Sequence, residues 1–291
     1  MAELGFTIPT IWSSRFLANL DMALVYGAVA NRDYQPDAQF GSAINIHKFG
    51  EITIGDYEKY TSIGTPEAPT VDRTTLNLDQ QKFFNVLVDS IDEMQTQPDL
   101  MNEVMKRAAY GIGRTVDAYI AGLYTGATVV SDLGTAAVPV VPVVTDIYQY
   151  LTMAALKLDE ANVPVSDRFI VMDPAGVKLL KDSGEMLSDT PAGDTLRAYG
   201  VFNAPGQLPM GYKGRIANFD IFMSNQTPVD DVATSVWLAG HPDGIAFADS
   251  FNEIKGYDHP EYFGDAVKGL YVYGAVVNQP DAIVPIYTAL A

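Results

Sequence analysis

The stretch from 41 to 89 constrains this chain more than any other. Ile44 and Ile46 alternate with Asn45 and His47, and Ile52-Thr53-Ile54 follows Gly50. On the far side Leu76-Asn77-Leu78-Asp79 and Phe84-Asn85-Val86-Leu87-Val88 alternate again, so both flanks read as strands. Between them, Gly55 to Asp72 carries Gly64, Pro66 and Pro69 and little period. Connections in compact domains have medians of about 4–6 residues. This one offers only Tyr57, Tyr60, Ile63 and Val71 as large apolar groups, and Asp56, Glu58, Glu67 and Asp72 repel one another. From Glu51 to Glu103, 11 acidic residues face three basic ones (Lys59, Arg73 and Lys82). A long charged hairpin of this kind cannot make its own core and needs a neighbour.

The body must come from the rest. Met101, Met105, Ala108, Ile112, Val116, Tyr119 and Leu123 step by three or four, which predicts a helix over 98–124 with that stripe facing inward. At 1.5 Å per residue it is a rod of roughly 38 Å. Asp99 and Glu103 suit its first turn. Gly111 and Gly113 lie inside it at a cost of about 1 kcal/mol each, which points to close approach by another backbone. The Thr-, Ala-, Val- and Pro-rich segment 125–145 is a connector or edge strand, since its prolines bar it from a central one. A helix over 146–161 with Ile147, Tyr150 or Leu151, Ala154 and Leu158 inside precedes a buried strand, Phe169-Ile170-Val171-Met172. A short helix over 175–183 follows, then strands at 215–223, 235–239, 269–277 and 281–287. The order is that of an α+β protein. Ahead of all this, Trp12, Phe16, Leu20 and Leu24 recur every four residues, so 1–40 reads as an arm or as an ordinary first helix.

Composition narrows the function. The 291 residues carry 36 Asp and Glu against 18 Lys and Arg, a formal charge of −18, which argues against binding nucleic acid through its phosphates. Hydrophobic residues make up 48% and charged residues 19%, which excludes a disordered chain and suits surface covered by something other than water. With no cysteine, disulfides, thiolate metal sites and cysteine nucleophiles are ruled out. No basic n-region precedes Arg15, and the charge-free runs 118–131 and 133–145 fall short of the ~20 apolar residues of a membrane span. The expectation is a soluble protein made inside a cell, with no membrane partner.

Catalytic spacing is absent. There is no G-x-S-x-G elbow and no phosphate-binding P-loop. Gly111-Ile112-Gly113 lies mid-helix, where a dinucleotide loop has no place. His47, His241 and His259 lie far apart in sequence. Asp258-His259-Pro260-Glu261 with Asp265 could hold a divalent ion, but a solvated acidic loop explains it better. Asp230-Asp231 reads as a turn, and the Asn225-Gln226-Thr227 glycosylation triplet has no secretion signal to support it. No catalytic residue, metal ligand or cofactor is expected.

Taken in order, these elements resemble the major capsid proteins of tailed double-stranded-DNA bacteriophages, the family with the HK97 fold. The resemblance rests on the arm Phe6-Thr7-Ile8-Pro9-Thr10-Ile11-Trp12-Ser13-Ser14-Arg15, the acidic hairpin, and the rod ending Arg114-Thr115-Val116-Asp117-Ala118-Tyr119-Ile120. It continues through Leu156-Lys157-Leu158-Asp159-Glu160-Ala161-Asn162-Val163-Pro164 into Arg168-Phe169-Ile170-Val171-Met172-Asp173-Pro174. His241-Pro242-Asp243-Gly244-Ile245-Ala246-Phe247-Ala248 and Gly269-Leu270-Tyr271-Val272-Tyr273-Gly274 complete it.

The resemblance implies an N-terminal arm at 1–40 and an extended β-hairpin loop at 41–89. It implies a peripheral domain of 90–145 and 246–291 holding the spine helix, and an axial domain at 146–245. It implies self-assembly into an icosahedral virion shell of pentamers and hexamers, with no reaction catalysed. DNA would be enclosed without sequence-specific contacts, with a separate scaffolding protein and a portal as partners and synthesis in the host bacterial cytoplasm. Trp12, Phe16, Tyr57, Lys59, Tyr60 and Arg73 are the expected inter-subunit residues. Lys59 is the one lysine in the hairpin tip, and with no assignable partner among Asn252 and Asn278 no cross-link is expected. The rival readings are an encapsulin-type bacterial shell, a phage tail or connector protein, and, from another class, an acid-dependent hydrolase.

Overall fold

The computed structural model describes residues 24–35, 43–50, 52–57, 59–60, 65–89, 100–128, 130–183, 212–230, 234–258, 260–261 and 264–289. A one-turn helix α1 (Tyr26–Val29) leads to β1 (Ala43–Phe49), β2 (Val71–Asn77) and β3 (Gln80–Asp89). The rod helix α2 (Leu100–Ala121) follows, then α3 (Ile147–Glu160), β4 (Phe169–Met172) and α4 (Pro174–Asp182). The strands β5 (Tyr212–Ile216), β6 (Phe219–Met223), β7 (Val229–Asp230) and β8 (Thr234–Gly240) come next. Finally come β9 (Ile245–Asp258), β10 (Gly264–Val277) and β11 (Ile283–Thr288).

Two sheets form the body. The larger runs β11-β8-β4-β6-β5, with β7 on β8 and only the β4–β6 pair parallel. Its central strand β4 is apolar without alternation because both faces are covered. Phe169 and Val171 join the core beneath α2, whereas Ile170 and Met172 meet Ile147, Leu151, Ala154 and Leu158 of α3. Arg168, wholly buried, fastens α3 to this sheet. Its Nε donates to the Pro164 carbonyl at 2.8 Å, and its Nη2 donates to Val163 O at 2.6 Å and Asp159 Oδ1 at 2.7 Å. Asp173 caps α4 by accepting from the Gly176 N–H at 2.9 Å, and the same oxygen takes the Trp237 indole N–H at 2.8 Å.

The smaller sheet runs β3-β10-β9, with α2 packed beside it. Met105, Ile112 and Val116 of the expected stripe are buried, but Ala109 and Ile120 share the buried face, and Ala108, Tyr119 and Leu123 sit half-buried at its border. The helix also closes earlier than expected, at Ala121, and tightens into a 3-10 turn at Gly122–Gly126. A Cβ at Gly111 would meet nothing within 4 Å, so the close backbone approach expected there is not made within the described chain.

Other expectations are corrected. The single strand expected over 215–223 is a hairpin, because Ala217 and Asn218 both take positive φ (48° and 66°) in a two-residue turn whose twist suits antiparallel strands. The stretch 80–89 is not part of the projecting hairpin. It pairs along β10 from Tyr273↔Gln80 to Gly264↔Asp89. The last strand, β11, leaves the body assigned to 246–291 and pairs with β8 in the larger sheet. The segment 125–145 is a connector that pairs with that sheet at the Val140–Thr288 bridge, between Pro139 and Pro142, and buries Leu133 in its core.

Candidate functional site

The paired part of the hairpin is β1 on β2, in register from Ala43↔Asn77 to Phe49↔Val71. Its base is part of the subunit. Ile44, Ile46, Leu76 and Leu78 are buried against Ala246, Ala248, Val272 and Val276 of β9 and β10. At Gly274 the Asn77 carbonyl lies so close that no Cβ would fit, so this glycine lets hairpin and sheet touch through backbone. Beyond the last bond, Gly50 N–H to Thr70 O at 2.9 Å, this support ends.

The tip is bare. Ile54 is 93% and Tyr60 91% exposed, and Ile52 and Tyr57 are nearly as open. Tyr60 takes φ 70°, and the Lys59 ammonium lies 5.0 Å from its ring centre. The Thr53 N–H donates to Glu67 Oε2 at 3.1 Å across the loop. The fold thus brings Tyr57, Lys59 and Tyr60 together at the tip. Arg73 stands back on β2, where its Nε donates to Asn45 Oδ1 across the ladder at 2.7 Å. Trp12 and Phe16 lie outside the described residues, as does His259 of the acidic cluster. Among the described residues no group of three or more His, Asp or Glu could hold a metal ion.

The described end of the expected arm is core. Leu24 and Tyr26 are fully buried on α2, with Leu24 just ahead of the short helix, while Leu20 lies outside the described residues. The reason is Asp117, which periodicity alone could not single out. It sits on the buried side of α2, and its two oxygens accept the N–H groups of Val25 at 2.8 Å and Gly27 at 3.2 Å. Those donors have no partner within so short a helix. Burial pushes the Asp117 carboxyl up to about 6, against the pull of these backbone bonds and Arg32. The strap continues at Asn31, whose N–H donates to Ile245 O and whose carbonyl accepts from Phe247 N–H, both at 2.9 Å.

A second open surface also escaped the pattern. On β3, Gln81, Phe83, Asn85 and Leu87 are exposed while Lys82, Phe84 and Val86 are half-buried. Phe83 pairs with Leu270, and Asn85 with Lys268. The Phe83-Asn85-Leu87 alternation was its only signal.

Two sheets flank one rod helix, and the anchored hairpin projects a tip whose described apolar residues are exposed. The model of the phage capsid protein family matches residues 73–286, and the chain belongs to that family. A structure from Mycobacterium phage Che8 is similar at 23% identity with a TM-score of 0.70, covering 90% of each chain. The capsid of cyanophage P-SCSP1u is similar at 17% identity and TM-score 0.65, covering 92% of this chain and 89% of that one. A virus-like particle from Pyrococcus furiosus is similar at 12% identity and TM-score 0.56, covering 96% and 99%. No curated protein sequence matches at a significant level. The fold is the HK97-like capsid fold, and the protein is a structural component of a phage capsid, located in the virion.

Proposed function

We propose that copies of this chain close into an icosahedral shell of pentamers and hexamers around packaged double-stranded DNA, without catalysing a reaction. The observation that carries this reading is the hairpin, rooted in its own core by Ile44, Ile46 and Leu76 yet presenting Ile52, Ile54, Tyr57 and Tyr60 to solvent. Apolar groups displayed on an acidic extension contribute nothing to the subunit and suit contact with a neighbouring one. Tyr57, Lys59 and Tyr60 are the contact residues, with Trp12 and Phe16 supplying a second contact and Arg73 bracing the hairpin. A formal charge of −18 suits a container that must release DNA rather than grip it. The division into a peripheral body around α2 and an axial body around α3 follows the two sheets, with 283–288 moved to the axial one. A separate scaffolding protein, a portal and synthesis in the host bacterial cytoplasm complete the reading.

Negative-stain microscopy of the purified protein, alone and with its scaffolding protein, tests the proposal. Closed shells or capsomer rings are expected. A monomer at every concentration, salt and scaffold condition overturns it. The encapsulin reading is separated by contents: nucleic acid in native particles supports the phage, and cargo enzymes the alternative.

A further inference from the structure

We infer that the exposed side of α2 carries a phosphate-binding strip for the packaged double-stranded DNA, built from Lys106, Arg107 and Arg114 around Tyr110. This inference rests on the shell reading and adds to it the groups that touch the contents. Residues 104–116 hold these three basic groups and no acidic one, in a chain whose acidic residues outnumber its basic ones two to one. Lys106, Tyr110 and Arg114 step by four, so they share one side of the rod, with Arg107 beside them, over about 12 Å. All four are exposed, whereas Met105, Ala109, Ile112 and Val116 form the buried side. Among the described residues no ion pair engages Lys106 or Arg114. Arg107 has Glu103 at 3.6 Å, an exposed pair that water and salt readily loosen. Gly111 lies between Arg107 and Arg114 on this side, and a Cβ there would meet nothing within 4 Å, so the helix backbone is open to close approach.

Charge and layering decide the occupant. The smaller sheet carries α2 on one face, through Val267, Tyr271 and Tyr273, and the hairpin base on the other, through Val272 and Val276. The subunit is a slab here, with the hairpin as one outer layer and the rod as the other. The hairpin exposes Asp56, Glu67 and Asp72, and the rod exposes cations. Duplex DNA is repelled by the first surface and drawn to the second. With one charge per about 1.7 Å of axis, 12 Å of duplex presents about seven phosphates, more than three cations can neutralise. The strip therefore meets a duplex in any register and reads no sequence. The Tyr110 hydroxyl adds a donor for a phosphate oxygen. Three charges per copy make a hold that salt dissolves, and the acidic remainder of the chain opposes a tighter one. Such a contact positions DNA without retaining it.

Tyr110 lets the contact be read in place. Chains carrying Tyr110→p-benzoylphenylalanine, a photo-reactive residue, are assembled, filled with DNA and irradiated, and the molecules attached to them are quantified. The control carries the same probe at Tyr57, 73% exposed on the hairpin tip. At least about tenfold more DNA attached at 110 than at 57 is expected, because a seated strand raises the effective concentration at the probe. Filled particles with no such excess, or with protein attached at 110 in place of DNA, overturn the strip and leave the shell reading standing. Wild-type chain that never forms DNA-filled particles overturns both. As a second measurement, the unassembled full chain is titrated against a short fluorescent duplex at low salt. Weak binding is expected, with log K falling against log salt at a slope of about −3. Lys106→Gln with Arg107→Gln and Arg114→Gln should weaken it at least about tenfold. Wild-type chain that does not bind, or a variant that binds equally, counts against the three cations.

Discussion

Replacing residues 51–69 by a two-residue Asn-Gly turn between Gly50 and Thr70 separates the two roles of the hairpin. The deletion spans 19 residues but begins beyond the Gly50–Thr70 bond, so the seven paired positions of β1 and β2 survive. Among the described residues the lost burial is close to nothing, because Ile52, Ile54, Tyr57 and Tyr60 are already 70–93% exposed. One exposed bond, Thr53 N–H to Glu67, disappears at about 0.5–1 kcal/mol. Shortening the loop from 19 residues to two recovers about 2 kcal/mol of closure entropy. The net change is at most a gain of about 1–2 kcal/mol, a rise of a few degrees in thermal midpoint. Circular dichroism melts should show an unchanged or slightly higher midpoint, and sedimentation should show that particles no longer form. For contrast, Leu76→Ala in the buried base should cost about 3–5 kcal/mol. A midpoint lowered by more than about 5 °C would place the tip in the subunit core. Normal particles would show that it does not interlock the copies.

Three further outcomes follow from the fold. Asp117 holds its proton up to about pH 6 when folded and about 3.9 when unfolded, so it favours folding most below pH 4 and this contribution is lost as pH rises through 6. Urea titrations should show this group's share falling by about 2 kcal/mol between pH 4 and 7, a component that Asp117→Asn removes; equal pH profiles in both proteins would refute the assignment. Arg168→Ala strands the Pro164 and Val163 carbonyls and should cost about 3–5 kcal/mol, with Lys a poor substitute; a loss under about 1 kcal/mol in the same titration would show that the clamp is idle. Ile112→Asp buries an unpaired carboxylate and should cut soluble yield, whereas Tyr110→Asp on the exposed side of the same helix should not; equal yields would mean the wrong face is buried.

Much of the fold was legible where local period and burial coincide. The α3 face of Ile147, Leu151, Ala154 and Leu158 and the all-apolar β4 both follow from spacing. The failures share a cause, which is that pairing partners are remote. Nothing local marks β11 as a partner of β8 rather than β10, and Ala217-Asn218 lacks the glycine that usually announces a two-residue turn. Asp117 reads as one more charge on a rod until Val25 and Gly27, about 90 residues earlier, are brought to it. At the site, the hairpin tip was legible because a segment with too few apolar groups announces its own need. The open face around Phe83 was not, since a half-exposed strand alternates the same way whichever face is bare.

The late position of β11 carries a consequence for how a subunit is made. Residues 283–288 supply an edge of the larger sheet, and Ile283, Val284, Ile286 and Tyr287 are all buried there. The chain therefore synthesises β4 more than a hundred residues before the strand that finishes its sheet. Until then β8 has an open edge, and the core around Trp237 lacks Val284 and Ile286. Pairings so far apart in sequence close slowly, and an open edge is a template for other chains. A ribosome that stalls ahead of residue 283 releases a chain without its closing strand, so near-complete chains are set apart from finished ones by their fold.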